Sequence, residues 1–444
     1  MKVVFSNDFL FHGQEDAPHV FHWEFFSLLS VVIEDACGIK PVSISECSDS
    51  AGRKFSRREF FAISGIEDPA PAYYLYDLGK ISQASWDYFS SFFDADTLFV
   101  ASEFGMDLRE KLTQLGIAYI NFWFHPFKLL NDSFFLVGTN APGIFEQLEK
   151  FKVPRAKMRL YGEYYVQLAQ RKHFTDDLPI DDNSCLFVGQ TYQDKSIACD
   201  GKYLNITDYP EKIDELSSQY STIYYVPHPI AGQNDAVDAF LAAHPNIKVL
   251  NGIPTYYLLA SPKIKKVVAL SSSVIFEAEF FGKDAEYLFK PLFKIDEEFS
   301  LNTFVSVYQD YFGKYFWQTM FSAWKKDAFP APKAELCTSA EPLLARDAEL
   351  FRDMLGLPYG YRFLGRTERI EGMIEDLRRQ LSEQEEWISV LRKSLDVAHQ
   401  SLREAHAGLL GANAELAAIR ASDSYKIGRF LTAVPRMISR RRSR

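Results

Sequence analysis

Between Ile370 and Ile419 apolar side chains recur at alternating steps of four and three without a slip, and Gln384 is the one polar residue in the series. Such spacing belongs to a helix that meets another helix along its whole length, because a 3.5-residue period keeps a narrow seam on one side of a supercoil. At ~1.5 Å of rise per residue the segment predicts a rod roughly 75 Å long. Ile or Leu occupies the a positions, while Ala398, Ala405 and Ala412 fill successive d positions and let helices approach closely. The repeat predicts a coiled coil over 363–421 and, through it, a homo-oligomer whose strand number and orientation stay open.

The preceding residues follow a different rule. Short β-type runs (KVVF, PVSIS, YYLYDL, TLFVAS, AYINFWF, FFLVG) alternate with helix-type runs (VFHWEFFSLLSVVIEDA, SWDYFSSFF, MDLREKLTQL, GIFEQLEKF). This alternation predicts a parallel sheet covered by helices over 1–170. After a polar interval, TDDLPIDDNS, the alternation restarts from CLFVGQ and predicts a second Rossmann-like unit over 180–292. Aromatic-rich helical patterns from Phe299 to Trp324 then read as return and linker helices within 293–360, with a Pro/Ala-rich break at FPAPKAE. The fold class expected is α/β: two Rossmann-like domains in a GT-B-like arrangement, then a C-terminal helical coiled coil.

Composition removes several functional classes. A net charge of −10 argues against nucleic-acid binding. The five cysteines are scattered without a CxxC pair, so they read as reduced core thiols and not as a disulfide framework or zinc site. His12, His19 and His22 cluster, but their irregular spacing without a carboxylate pattern makes a poor metal site. No metal cofactor is expected. The start, MKVVFSNDFL, reads as a first strand and not as a signal peptide, and no apolar run approaches the ~18 residues needed to span a bilayer. The end differs from the average: Tyr425 to Arg444 carries seven basic residues and no acidic one. There Ile427, Phe430, Leu431, Val434, Met437 and Ile438 share one helical face. The 422–444 tail therefore reads as a basic amphipathic helix for an anionic membrane surface, with an acidic protein as the alternative partner. A cytoplasmic protein held peripherally on the inner face of the inner membrane is expected.

The chemistry concentrates where strands end. In VVALSSSVIFEAEFF a buried-strand run gives way to Ser271, Ser272 and Ser273 and then to a helical pattern. Hydroxyls and backbone N–H groups at such a start suit a small anion, and plain N-capping by one serine is the structural alternative. A second strand, YYVPHP, ends in His228-Pro229, where an imidazole can donate to a phosphate oxygen or protonate a leaving group. The strand of FVGQTYQDKS ends at Gln190 and presents Asp194, which reads either as a nucleophile or as a loop-capping carboxylate. Glu103 and His125 stand at strand ends in the first unit as candidate acid/base groups. Glu277 lies one helical turn beyond Ser273. No arginine occurs between Arg171 and Arg346. Pyrophosphate leaving groups are often managed by Arg or Lys, whereas hydroxyls and a histidine could stabilise one phosphate.

The combination of YYVPHP with a following strand that ends in paired serines resembles the nucleotide-binding half of CMP-sugar transferases. The wider stretch FVGQTYQDKS … YYVPHP … LSSSVIFEAEFFGK is similar to the retaining β-Kdo transferases of bacterial O-antigen and capsule polysaccharide assembly, clearest over 185–290. Kdo is an eight-carbon acidic ketose. The resemblance implies CMP-β-Kdo as donor, a lipid-linked glycan as acceptor, and overall retention through an Asp-linked intermediate. It gives Asp194 the role of nucleophile, His228 and the serines that of holding the CMP phosphate, and Glu277 that of binding the ribose hydroxyls. Two rival readings stay open: an inverting CMP-sialic acid or other nucleotide-sugar transferase, and an inactive scaffold of a polysaccharide assembly complex.

Overall fold

The computed structural model describes residues 1–10, 20–66, 81–127, 135–171, 173–176, 178–192, 194–199, 202–228, 231–332 and 361–441. YYLYDL, the segment 333–360, His12, His19 and Pro229 lie outside the described residues, as does the side chain of His22. The chain divides into two compact units, 1–363 and 364–444.

The first unit is mixed α/β with fourteen described strands: β1 (Lys2–Asn7), β2 (Val42–Ser43), β3 (Thr97–Ser102), β4 (Ala118–Phe124), β5 (Phe135–Thr139), β6 (Ser184–Val188), β7 (Ala198–Cys199), β8 (Lys202–Tyr203), β9 (Ile223–Val226), β10 (Ile247–Val249), β11 (Ile264–Ala269), β12 (Asp284–Tyr287), β13 (Lys294–Ile295) and β14 (Thr303–Val307). Seven of them form a sheet in the order β13-β14-β5-β4-β3-β1-β2. Both faces of this sheet are covered, which explains its near-continuous apolar strands. Val3, Phe5, Leu98, Val100, Ile120 and Phe122 enter one core. Their neighbours in period two, Val4, Phe99, Ala101 and Tyr119, enter a second core on the opposite face.

Two expectations need correction here. The first sheet is not all parallel, because β5 pairs antiparallel with both β4 and β14. The stretch from Phe299 onward is not all helix: TFVSV forms β14 before the helix Lys314–Trp324. Its β-branched alternation supplies a strand buried on both faces, and the aromatic content concealed that period. The chain thus returns to complete the first sheet. Two helices were also missed in the sequence, Arg57–Ile63 and Arg155–Arg171.

The second sheet is parallel throughout, in the order β10-β9-β6-β11-β12. The chain starts in the middle at β6, winds outward through β9 and β10, then restarts beside β6 with β11. Such a reversal opens a crevice at the carboxyl ends of β6 and β11, where ligands bind in open α/β sheets. The helix Arg155–Arg171 packs against the helix Val274–Phe280 through Gly162, where a Cβ would lie 2.3 Å from the Phe280 carbonyl oxygen.

The described part of the second unit is helical: the helix Tyr361–Ala421 from Leu364 onward, then the helix Asp423–Arg441. Along the first, Leu381, Ile388, Leu391, Leu395, Leu402, Leu409, Leu416 and Ile419 of the predicted seam are exposed in the single chain. On the second, Ile427, Phe430 and Leu431 are exposed. Among the described residues no helix is long and apolar enough to cross a membrane.

Candidate active site

A cleft of about 400 Å³ lies over the carboxyl ends of both sheets. Gln190, Thr191, Asp194, Ser196, His228, Ser271, Ser272, Ser273 and Tyr287 line it from the second sheet, and Glu103, Trp123, Phe124 and Pro126 from the first. Leu292, Phe293 and Ile295 of the returning chain complete the lining. The reversal between β6 and β11 is what brings Gln190 and Ser271 together, 81 positions apart in sequence. The lining includes two carboxylates and one imidazole, and no Lys or Arg among the described residues.

The three serines are not equivalent. Ser271 is buried; its N–H donates to Gln190 Oε1 at 2.8 Å, and its hydroxyl donates to Ser196 Oγ at 2.9 Å. It clamps β11 to the loop after β6, and Gln190 is spent on the same clamp. Ser272 and Ser273 are half-buried, and Ser273 at the N-cap makes no side-chain capping bond. Ser272 Oγ accepts the Val274 N–H at 3.4 Å, so both hydroxyls line the cleft with a hydrogen to donate. The following helix has seven residues, so its dipole contributes little and the hydroxyls matter more.

Asp194 lines the cleft with its carboxylate oriented from two sides. Its Oδ1 accepts the Ser196 N–H at 2.8 Å and its Oδ2 is 3.5 Å from the Thr191 hydroxyl. Part of the capping role foreseen as an alternative is therefore present, since Asp194 precedes the short 3-10 turn Lys195–Ile197. Thr191 and Ser196 were missed in the sequence. The signal for Ser196 was its position two residues after an aspartate, the spacing of a carboxylate that accepts a backbone N–H.

Glu103 reaches the cleft at a cost. Its φ is 58°, in the left-handed region, which disfavours a residue with a Cβ by about 1–2 kcal/mol. The surroundings over-determine that conformation. Glu103 N–H donates to the Phe122 carbonyl at 2.9 Å, and the Asn121 amide bonds both backbone groups of Phe104. Asp8 accepts the Gly105 N–H at 2.8 Å.

Two expected residues lie elsewhere. His125 is buried outside the cleft lining, and burial, with a smaller contribution from Arg155, pushes its pKa down to about 3. Nδ1 accepts the Phe127 N–H at 2.9 Å, so Nε2 carries the proton and donates to Ser306 Oγ at 2.9 Å. Ser306 in turn donates to Asp296 Oδ2 at 2.8 Å. The ring also packs edge-on to Phe276 of the second sheet's helix. His125 is a neutral seam residue, and the acid/base role lacks support from this geometry. Glu277 is 2% exposed and accepts the Tyr256 hydroxyl at 2.6 Å. It too lies outside the cleft lining, so the ribose-binding role lacks support from this geometry. Sequence spacing placed it one turn from the serines, but the helix turns that position into the core. Among the described residues no group of three His, Cys, Asp or Glu side chains is arranged to hold a metal ion.

Comparison with known proteins bears on the second sheet. The family described as alpha-2,8-polysialyltransferase (POLYST) matches residues 130–288, a span containing the whole second sheet and its cleft residues. This similarity supports a glycosyltransferase class. A solved structure of Thermosulfurimonas dismutans KpsC, beta Kdo 2,7 transferase, is similar at 14% identity, covering 48% of this chain and 71% of that one with a TM-score of 0.32. No curated protein matches the chain.

Proposed function

We propose that the protein is a glycosyltransferase that takes an acidic sugar from a CMP donor, CMP-Kdo first, and transfers it with retention to a lipid-linked glycan of a bacterial surface polysaccharide. The observation that carries this reading is the joint placement of Asp194, His228, Ser272 and Ser273 in one cleft without a Lys or Arg in its described lining. That cleft suits a leaving group of one phosphate better than a pyrophosphate. The opposed α/β sheets support a GT-B-like arrangement, in which the first sheet's side of the cleft receives the acceptor.

In this mechanism an Asp194 carboxylate oxygen bonds to the anomeric carbon as the bond to the CMP phosphate oxygen breaks. His228 and the hydroxyls of Ser272 and Ser273 stabilise the charge gathering on that phosphate. The acceptor hydroxyl oxygen then attacks the same carbon, Glu103 takes its proton, and Asp194 departs as carboxylate. Two inversions give net retention. Apolar Trp123, Phe293 and Ile295 shield the ester from water.

A second reading follows from the family similarity: the donor is CMP-sialic acid. Separate incubations of the full-length protein with CMP-Kdo, CMP-sialic acid, a UDP-sugar and a GDP-sugar, without divalent metal, separate the readings by which donor is turned over. Release of UDP or GDP alone would remove the CMP assignment, and an inert protein that binds no nucleotide would leave the scaffold reading. The seam of helix Tyr361–Ala421 is proposed to pair with a second copy. The helix Asp423–Arg441 is proposed to lie on anionic lipid at the cytoplasmic face of the inner membrane, with Ile427, Phe430 and Leu431 inserted.

A further inference from the structure

Gln190 offers an amide whose orientation is settled by its neighbour. A backbone N–H can only donate, so the Ser271 N–H at 2.8 Å identifies the acceptor as Oε1. Nε2 then faces two hydroxyl oxygens, Ser271 Oγ at 3.0 Å and Ser196 Oγ at 3.1 Å, and donates one hydrogen to each. Ser271 sends its own hydroxyl proton to Ser196 at 2.9 Å, closer than the alternative acceptor, Gln190 Oε1, at 3.3 Å. Ser196 Oγ therefore accepts twice. A serine hydroxyl has two lone pairs and one hydrogen, so its remaining capacity is to donate.

That hydrogen has no acceptor among the described residues, although Ser196 is only 8% exposed and lines the cleft. Two incoming hydrogen bonds polarise the hydroxyl and make it a stronger donor. The backbone N–H of the same residue holds Asp194 Oδ1 at 2.8 Å. One residue thus stands between the carboxylate and the serine turn.

We propose that Ser196 is a ligand-binding residue whose hydroxyl donates to an anionic oxygen of the bound nucleotide. On the nucleotide-sugar reading above, on which this assignment rests, that oxygen belongs to the leaving phosphate. The backbone N–H of Ser196 meanwhile sets where the attacking carboxylate sits. Such a donor answers a problem in this cleft: Asp194 and Glu103 oppose an incoming anion, and its described lining has no Lys or Arg to offset them.

Binding of CMP and of cytidine to full-length wild type, Ser196→Ala and Ser196→Thr tests the assignment by calorimetry. The alanine variant keeps the backbone N–H to Asp194 and loses only the hydroxyl. Its affinity for CMP is expected to fall about tenfold or more, as for a hydrogen bond to a charged group. Affinity for cytidine, which has no phosphate, is expected to hold, with little change in melting temperature and recovery of CMP binding in the threonine variant. Equal loss of CMP and cytidine would reduce Ser196 to a scaffold residue and overturn the proposal. CMP bound equally by wild type and Ser196→Ala would remove the residue's role while leaving the donor reading intact. Wild type that ignores CMP but binds UDP or GDP would remove the donor reading itself and the phosphate role with it.

Discussion

Replacing His125 by Asn tests the seam between the two sheets, and acid is the lever. The folded-state pKa of about 3 lies below the ordinary 6.5 because burial disfavours the imidazolium. Between those values the unfolded chain binds a proton that the folded chain refuses. Stability is therefore full above about pH 6.5 and is lost as pH falls toward 3, by about 1.4 kcal/mol for each pH unit in that window. From pH 6.5 to 5.0 this one group would withdraw about 2 kcal/mol. Asp296, at the far end of the Ser306 bridge, has its pKa raised by burial and so works in the opposite direction. Asp296 is present in both proteins, so subtraction isolates the histidine. Asn can still accept the Phe127 N–H but loses the Ser306 partner, which is expected to cost about 1–3 kcal/mol at pH 7.5. Urea midpoints for both proteins from pH 7.5 to 5.0 should show the wild type ahead at the start and its lead shrinking with acid. A constant lead across that range would mean that His125 does not stay neutral in the fold, and the seam assignment would fail.

Three other outcomes follow from particular contacts. Asp194→Ala should be nearly inactive yet bind CMP at least as tightly as wild type, because it loses a carboxylate that opposes the phosphate, and mass spectrometry of the wild type with CMP-Kdo should find the sugar on Asp194; near-normal turnover in the variant excludes the double displacement. Gly162→Ala should destabilise the first unit by about 1–3 kcal/mol or more, because the new methyl meets the Phe280 backbone and not a side chain that can swing away; an unchanged melting temperature would contradict the close helix approach. Deleting Ser422–Arg444 should free the protein from anionic vesicles while leaving CMP-sugar hydrolysis intact. High salt should mimic that release, since exposed charges are screened over roughly 10 Å at 0.1 M; salt-resistant binding would point to another anchor.

Local periods were legible in the chain because they need only neighbours. Strands such as TLFVAS and AYINFWF could be read directly, as could the long helix, since burial on a sheet or along a helix imposes a short repeat. Ser271–Ser273, Asp194 and His228 were recognisable as strand-end residues for the same reason, and they line one cleft. Direction and partnership were not legible. TFVSV did not announce that it pairs antiparallel with a strand more than 160 positions earlier, because pairing is a contact between distant segments. His125 and Glu277 looked like cleft residues by position, but the packing of the helix Val274–Phe280 decided otherwise. Ser196 shows the same limit most clearly. Its sequence position explains the bond to Asp194, whereas the hydrogen bond it accepts from Ser271 depends on β6 and β11 being adjacent. The chain specifies which chemistry each short stretch can offer. The winding of the second sheet decides which of those groups meet, because a hydrogen bond depends on a few ångströms in space and not on distance along the backbone.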